Sequence, residues 1–344
     1  MSGRVYIHIG APKTGTTYLQ QVLGTNRESL KAAGVLYPHV AGDAHHTSIR
    51  DLRDSEKGKA HPRAGGDWAE VARLSAAWSG AVSVLSSELF VYATTPAAAR
   101  ALTSFYDAEV HVIYTARDLG RQVPAVWQER LKNSHSMGYT DYIEDVLGPT
   151  NSRLAQGFWT AQDAAKALQR WSQGIDPSQV HVVTAPPAGA PPVVLWERFA
   201  SVLGLEGRDF SSAVPAVNTS LSVTAAELLR RFNERHAEGM SRKRHRHLVK
   251  NGLANLLTEV VPDASKLPLS ESQQERIAQR AEQLTLELSA AGYDIVGSLD
   301  DLRPAVRAAG SGNGPDDLSD SEVIDGLLDV IKELLPLKVR HDSR

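Results

Sequence analysis

The chain has 344 residues, a formal net charge of −3, 42% hydrophobic and 22% charged residues, the composition of a soluble globular protein with a substantial core. It contains no cysteine, which excludes disulfides, thiolate metal sites and a cysteine nucleophile. Its near-balanced charge gives no ground for nucleic acid or an anionic membrane as the main partner.

The first element is the apolar run Val5–Ile9, which predicts a strand. It feeds the loop Gly10-Ala11-Pro12-Lys13-Thr14-Gly15-Thr16-Thr17, and the pattern Tyr18–Leu23 predicts a helix directly after it. A strand, a glycine loop and a helix N-terminus in that order form a concave anion site, where backbone N–H groups and the helix dipole converge. The spacing Gly10…Gly15 matches the nucleotide-triphosphate loop G-x-x-x-x-G-K-[ST], but Thr16 replaces the lysine and a lysine stands inside the loop as Lys13. The expectation is a phosphate-binding loop not built for ATP. Thr16 and Thr17 offer hydroxyls at the first helical turn, and Lys13 can neutralise charge on a bridging or leaving oxygen.

Further strands are predicted at Val35–Tyr37, Val82–Leu85, Val110–Tyr114 and Val180–Thr184, with helices at Pro96–Phe105, Arg121–Lys132, Tyr142–Leu147, Ala164–Trp171 and Val193–Leu203. Short apolar strands alternating with helices predict an α/β fold, a three-layer arrangement with a central, mostly parallel sheet. Ligands in such sheets bind at the carboxyl ends of the strands, which places Gly10–Thr17, Ser86–Glu88 and Thr115–Arg121 along one edge. Arg117, just past a strand, can take a second phosphate with a bidentate fork. Arg121 shares its face if the helix has already begun, and Pro124 predicts a helix start or bend near Arg121.

Glu88 follows the third strand and is the first candidate for a general base; the alternatives are His45 and His46, on a polar loop that could line an acceptor pocket. His8 is expected to be a satisfied core histidine, Asn218 and Ser220 to cap the next helix, and the six scattered tryptophans to pack the core. No metal-ligand spacing is present. After Asn218 helices are predicted at Thr224–His236, His245–Leu257 and Ser272–Ala290, with the basic run Arg242–His247 read as a solvated face. The expected organisation is one α/β domain over residues 1–305, helical from about 220, a flexible linker over 306–318, and an amphipathic helix and tail over 319–344. That last helix docks on the body or pairs two copies into a homodimer.

The Pro12-Lys13-Thr14-Gly15-Thr16-Thr17 loop, together with a strand ending in Arg117-Asp118, resembles the P-loop-like sulfotransferases that use 3′-phosphoadenosine-5′-phosphosulfate (PAPS), in particular the bacterial members over about Val5–Leu205. The resemblance implies that Pro12, Lys13, Thr14, Gly15, Thr16 and Thr17 hold the 5′-phosphosulfate, that Arg117, assisted by Arg121, binds the 3′-phosphate, and that Lys13 with Glu88 or His46 carries the catalysis. It further implies a sulfuryl transfer to a hydroxyl or amine of a small-molecule, carbohydrate or lipid acceptor, with no metal. The family usually has a serine eight residues after its arginine; this chain has Ala125, with Arg121 and Gln128 as the positions that would compensate. The rival expectations are a kinase or NTPase with an altered loop using ATP, and a binding protein that has lost catalysis. No signal peptide and no apolar run of membrane-spanning length are visible, so the expected location is the cytoplasm, without stable membrane insertion.

Overall fold

The structure, a computed structural model, describes residues 3–39, 44–55, 66–212, 220–261, 267–305 and 314–341. The chain divides into two compact units. The first comprises residues 1–119, 156–217 and 279–304, the second residues 120–155, 218–278 and 305–344.

The first unit is built on a six-stranded sheet: β1 (Arg4–His8), β2 (Val35–Leu36), β3 (Val82–Ser86), β4 (Glu109–Ala116), β5 (Val180–Thr184) and β6 (Asp294–Val296). Their order is β2-β3-β1-β4-β5-β6 and every pairing is parallel. The fold is therefore α/β with a central parallel sheet flanked by helices. Side chains of β1 alternate between two cores. Val5 and Ile7 join one with Val112, Val180 and Val182, and Tyr6 joins the other with Val84, Ile113 and Val183. Burial on both faces is why these strands read as continuous apolar runs. The chain moves outward from β1 to β2, returns to β3, then crosses to β4 on the far side of β1. The order thus reverses between β1 and β4, and the carboxyl ends there open a crevice for a ligand.

Within this unit helices cover both faces: α1 (Thr16–Thr25), α2 (Arg27–Ala32), α3 (Ala44–Ser55), α4 (Gly66–Ala77), α5 (Thr95–Thr103), most of α8 (Arg153–Gln162), α9 (Ala164–Trp171) and α10 (Val193–Val202); α6 (Leu119–Lys132) and α7 (Tyr139–Leu147) intervene in the chain. Several segments depart from the sequence expectation. The segment carrying His45 and His46 is the helix α3, with His45, Ser48, Ile49 and Leu52 buried along one stripe. The helices α2, α4 and α8 and the three-residue edge strand β6 were not expected. Helix α6 begins at Leu119 and runs through Pro124. Arg117 lies before that start, so the i,i+4 relation between Arg117 and Arg121 does not hold. Four of the six tryptophans, Trp68, Trp127, Trp171 and Trp196, are buried.

The second unit contains most of α6 together with α7, α11 (Val223–His236), α12 (Arg242–His245), a π-helical turn over Arg246–Leu253, α13 (Ala254–Val260), the start of α14 (Glu271–Ala290) and α15 (Asp320–His341). Ser222, not Ser220, caps α11: its hydroxyl accepts from Ala225 N–H at 3.1 Å. Asn218 lies outside the described residues, as does most of the expected linker. Its end, Pro315–Asp317, forms a 3-10 turn in which Asp316 accepts from the backbone N–H groups of Tyr139 and Thr140. In the basic run His245 is buried against Asn233, while Lys243, Arg244, Arg246 and His247 are exposed. Helix α15 buries Val323 and Val330 and exposes Ile324, Leu327, Leu328, Ile331 and Leu334. No helix among the described residues is long and apolar enough to cross a membrane.

Candidate anion-binding active site

The Gly10–Thr17 loop leaves β1 at the point where the strand order reverses. Its conformation is set by the end of β4. Thr115 holds Gly10 twice, its backbone N–H (2.6 Å) and hydroxyl (2.9 Å) both donating to the Gly10 carbonyl, while Ala11 N–H donates to Thr115 O. The Thr14 hydroxyl donates to Ala11 O at 2.6 Å and lies 2.5 Å from Thr115 Oγ1. From α8, Gln162 donates to Pro12 O. Beneath the loop, His8 is fully buried, with Nδ1 2.8 Å from Ser86 Oγ and Nε2 3.3 Å from Thr115 Oγ1. Burial pushes its pKa down to about 3, against a smaller opposing pull from the Gly10 backbone. His8 is the core histidine the sequence suggested.

Two backbone features shape the cradle. Lys13 adopts φ +69°, a left-handed conformation uncommon for a side-chain-bearing residue. Arg117 reaches across from the end of β4 and donates from Nη1 to the Lys13 carbonyl at 2.9 Å. Gly15, at φ +98°, is the N-cap of α1, and no side chain caps that helix end. The first-turn N–H groups of a helix have no intrahelical partner, and with the dipole they suit an anion. Around them the loop supplies Lys13, Thr17 and the arginine beside it. Thr16 and Thr14 are buried, the latter's hydroxyl engaged within the loop, whereas Pro12, Lys13, Gly15 and Thr17 are partly exposed.

On the other side of β1, Glu88 opens a 3-10 turn after β3, with Ser87 as its cap. Gly10 runs close beside it: a Cβ at Gly10 would lie 3.3 Å from the Glu88 carbonyl. Gln20, on α1, donates to Glu88 Oε2 at 3.0 Å. His46 Nε2 lies 3.6 Å from Glu88 Oε1, and His46 Nδ1 lies 2.7 Å from Ser87 Oγ. His45 behaves differently. Its Nε2 lies 2.8 Å from Pro38 O and its Nδ1 accepts from Ser86 N–H, so it staples the chain before α3 to β3 and does not face a ligand.

The structure thus brings Lys13, Gly15, Thr16, Thr17, Arg117, Glu88 and His46 together within the first unit. Arg121 falls in the second unit, on α6. The Gln128 carboxamide donates to Leu221 O and accepts from Leu221 N–H. Sequence reasoning missed Thr115, Gln162 and Gln20. Among the described residues, no group of three or more His, Asp or Glu side chains could hold a metal ion.

No protein-family model matches this chain, and no curated protein matches it in sequence. Solved structures that resemble it include two sulfotransferases. The sulfotransferase from Alicyclobacillus acidocaldarius is 14% identical, with 63% of this chain and 87% of that one covered and a TM-score of 0.42. The sulfotransferase domain from the curacin biosynthetic pathway is 12% identical, with 82% and 98% covered and a TM-score of 0.36. Both of these neighbours are sulfotransferases.

Proposed function

We propose that this chain is a sulfotransferase that moves a sulfuryl group from PAPS to a hydroxyl or amine of a small-molecule, carbohydrate or lipid acceptor in the cytoplasm. The observation that carries the reading is the meeting of the two anion-binding segments: Arg117, at the end of β4, is hydrogen-bonded to Lys13 in the loop after β1. Two phosphate-type groups of one nucleotide call for two cationic positions a short distance apart, and the loop and Arg117 supply them. The uncapped start of α1, with Lys13 and the hydroxyls of Thr16 and Thr17, suits the 5′-phosphosulfate. The planar guanidinium of Arg117, beside the loop, is of the type that takes a phosphate such as the 3′-phosphate with a bidentate fork.

In the transfer the acceptor oxygen attacks sulfur and the sulfur–oxygen bond to the 5′-phosphate breaks. The electron pair passes to that phosphate oxygen and the acceptor's proton passes to Glu88. Lys13 stabilises the charge that develops on the departing side, a contribution of about 3 kcal/mol when such a donor is well placed.

Calorimetric titration with 3′,5′-adenosine bisphosphate, AMP and ATP–Mg²⁺ tests the reading. The bisphosphate is expected to bind about tenfold or more tightly than AMP, a gain of ~1.4 kcal/mol from the added charge-assisted contacts. Lys13→Ala should weaken both ligands, and Arg117→Ala should close the gap between them. Equal binding of bisphosphate and AMP would refute the 3′-phosphate assignment, and Mg²⁺-dependent ATP turnover would point to a kinase or NTPase instead.

A further inference from the structure

The two side chains that could handle the acceptor's proton are one assembly. Glu88 and Ser87 come from the junction after β3, Gln20 from α1 and His46 from α3. Gln20 Nε2 donates to Glu88 Oε2 at 3.0 Å, and His46 Nε2 faces Glu88 Oε1 at 3.6 Å. The far side of the imidazole is held by Ser87, whose Oγ lies 2.7 Å from His46 Nδ1. That Oγ also accepts from Leu89 N–H at 3.3 Å, which directs the hydroxyl proton elsewhere. Electrostatics then orders the protons. A neutral ring with its proton on Nδ1 would turn the Nε2 lone pair toward the carboxylate. With the proton on Nε2, the ring presents an N–H to Glu88 and its Nδ1 accepts from Ser87. A protonated ring also presents Nε2–H to Glu88.

We infer that Gln20 and His46 are positioning residues that clamp the two oxygens of Glu88, with Ser87 fixing the His46 tautomer. His46 is on this account not a second base. Its Nε2 carries a proton toward Glu88 and its Nδ1 is occupied by Ser87. Glu88 cannot swing away, and its remaining lone pairs are presented to an incoming acceptor. The role of Glu88 as base rests on the sulfuryl-transfer reading above; the clamp itself does not.

The clamp is read first by ¹⁵N–¹H NMR of the unliganded protein. The His46 ring should carry its proton on Nε2, and both that signal and the Gln20 carboxamide signal should move upfield in Glu88→Gln. Ser87→Ala should perturb the His46 tautomer without moving Gln20, an arm that holds if Glu88→Gln does not fold. A proton on Nδ1 alone in the native ring, or signals indifferent to Glu88→Gln, would overturn the inference. Second, the release of labelled sulfate from PAPS, with water as acceptor, should fall about tenfold in Gln20→Ala, the loss of one hydrogen bond to a charged group, and should fall also in His46→Leu, the loss of the polar contact at 3.6 Å. His46→Gln, which restores an N–H donor, should recover most of the rate, and the affinity for 3′,5′-adenosine bisphosphate should stay within about twofold throughout. Native rates in both variants would remove the positioning role. If the NMR signals respond as expected while the bisphosphate does not bind, the clamp stands and the sulfuryl-transfer reading fails.

Discussion

Gly15 answers two demands at once. Its φ of +98° lies where side-chain-bearing residues are strained, and a Cβ there would stand 2.4 Å from Leu195 Cδ2 on α10. Gly15→Ala is expected to destabilise the fold by about 2 kcal/mol through backbone strain and overpacking, read as a lower urea midpoint. An unchanged midpoint would mean that Leu195 and the turn yield freely. At this scale much of the candidate site was legible. The loop residues and Arg117 announce themselves because glycines, hydroxyls and cations beside strand ends have a definite chemistry. His45 and His46 did not separate, because adjacent residues point to different sides of a helix and the helix itself was not recognised. One became a buried staple to Pro38 and Ser86, and the other faces Glu88. Gln20 was silent for another reason: a lone glutamine has no signature until its partner, 68 positions away, is placed beside it.

Among elements, strands flanked by turn residues were the most legible. Val180–Thr184 coincides with its predicted range, and β1, β2, β3 and β4 lie within about two residues of theirs. The edge strand β6 was hidden, since three partly exposed residues carry too little pattern to distinguish a strand from a loop. Helix α3 offered a signal that polarity masked: positions 45, 48, 49 and 52 form an i, i+3, i+4, i+7 stripe, but two of the four are polar. Capping was legible only in kind. The start of α11 belongs to Ser222, whose hydroxyl is buried and accepts from Ala225 N–H. Ser222→Ala should therefore cost about 1 kcal/mol, measured as a drop in thermal midpoint. Ser220→Ala, at an exposed position, should leave the midpoint unchanged.

For the molecule as a whole, histidines with depressed pKa values lower stability on the acid side. His8 has a pKa lowered to about 3, and burial also lowers those of His111, His135 and His245, with the charge of His181 adding to the effect at His111 and that of Arg130 at His135. A depressed histidine takes up its proton in the unfolded chain near pH 6.5 but in the native state only at lower pH. The unfolded state thus binds more protons and stability falls as pH drops. For His8 the loss runs from about pH 6.5 down to about pH 3, at ~1.4 kcal/mol per pH unit where the difference is one full proton. Urea midpoints measured from pH 7 to pH 4 should decline less steeply in His8→Gln than in the native protein; parallel slopes would show that His8 is not the group responsible.

The same centrality has a consequence for synthesis. The partners of Gly10, Lys13 and Pro12 lie 105, 104 and 150 positions further along the chain. Loop closures of that span precede any reward from the contacts they make. A ribosome-bound fragment ending before Gln162 therefore lacks part of the scaffold that shapes its own first turn. Nucleotide capture by the growing polypeptide becomes a late event, and it reports that the sheet has closed around its opening strand.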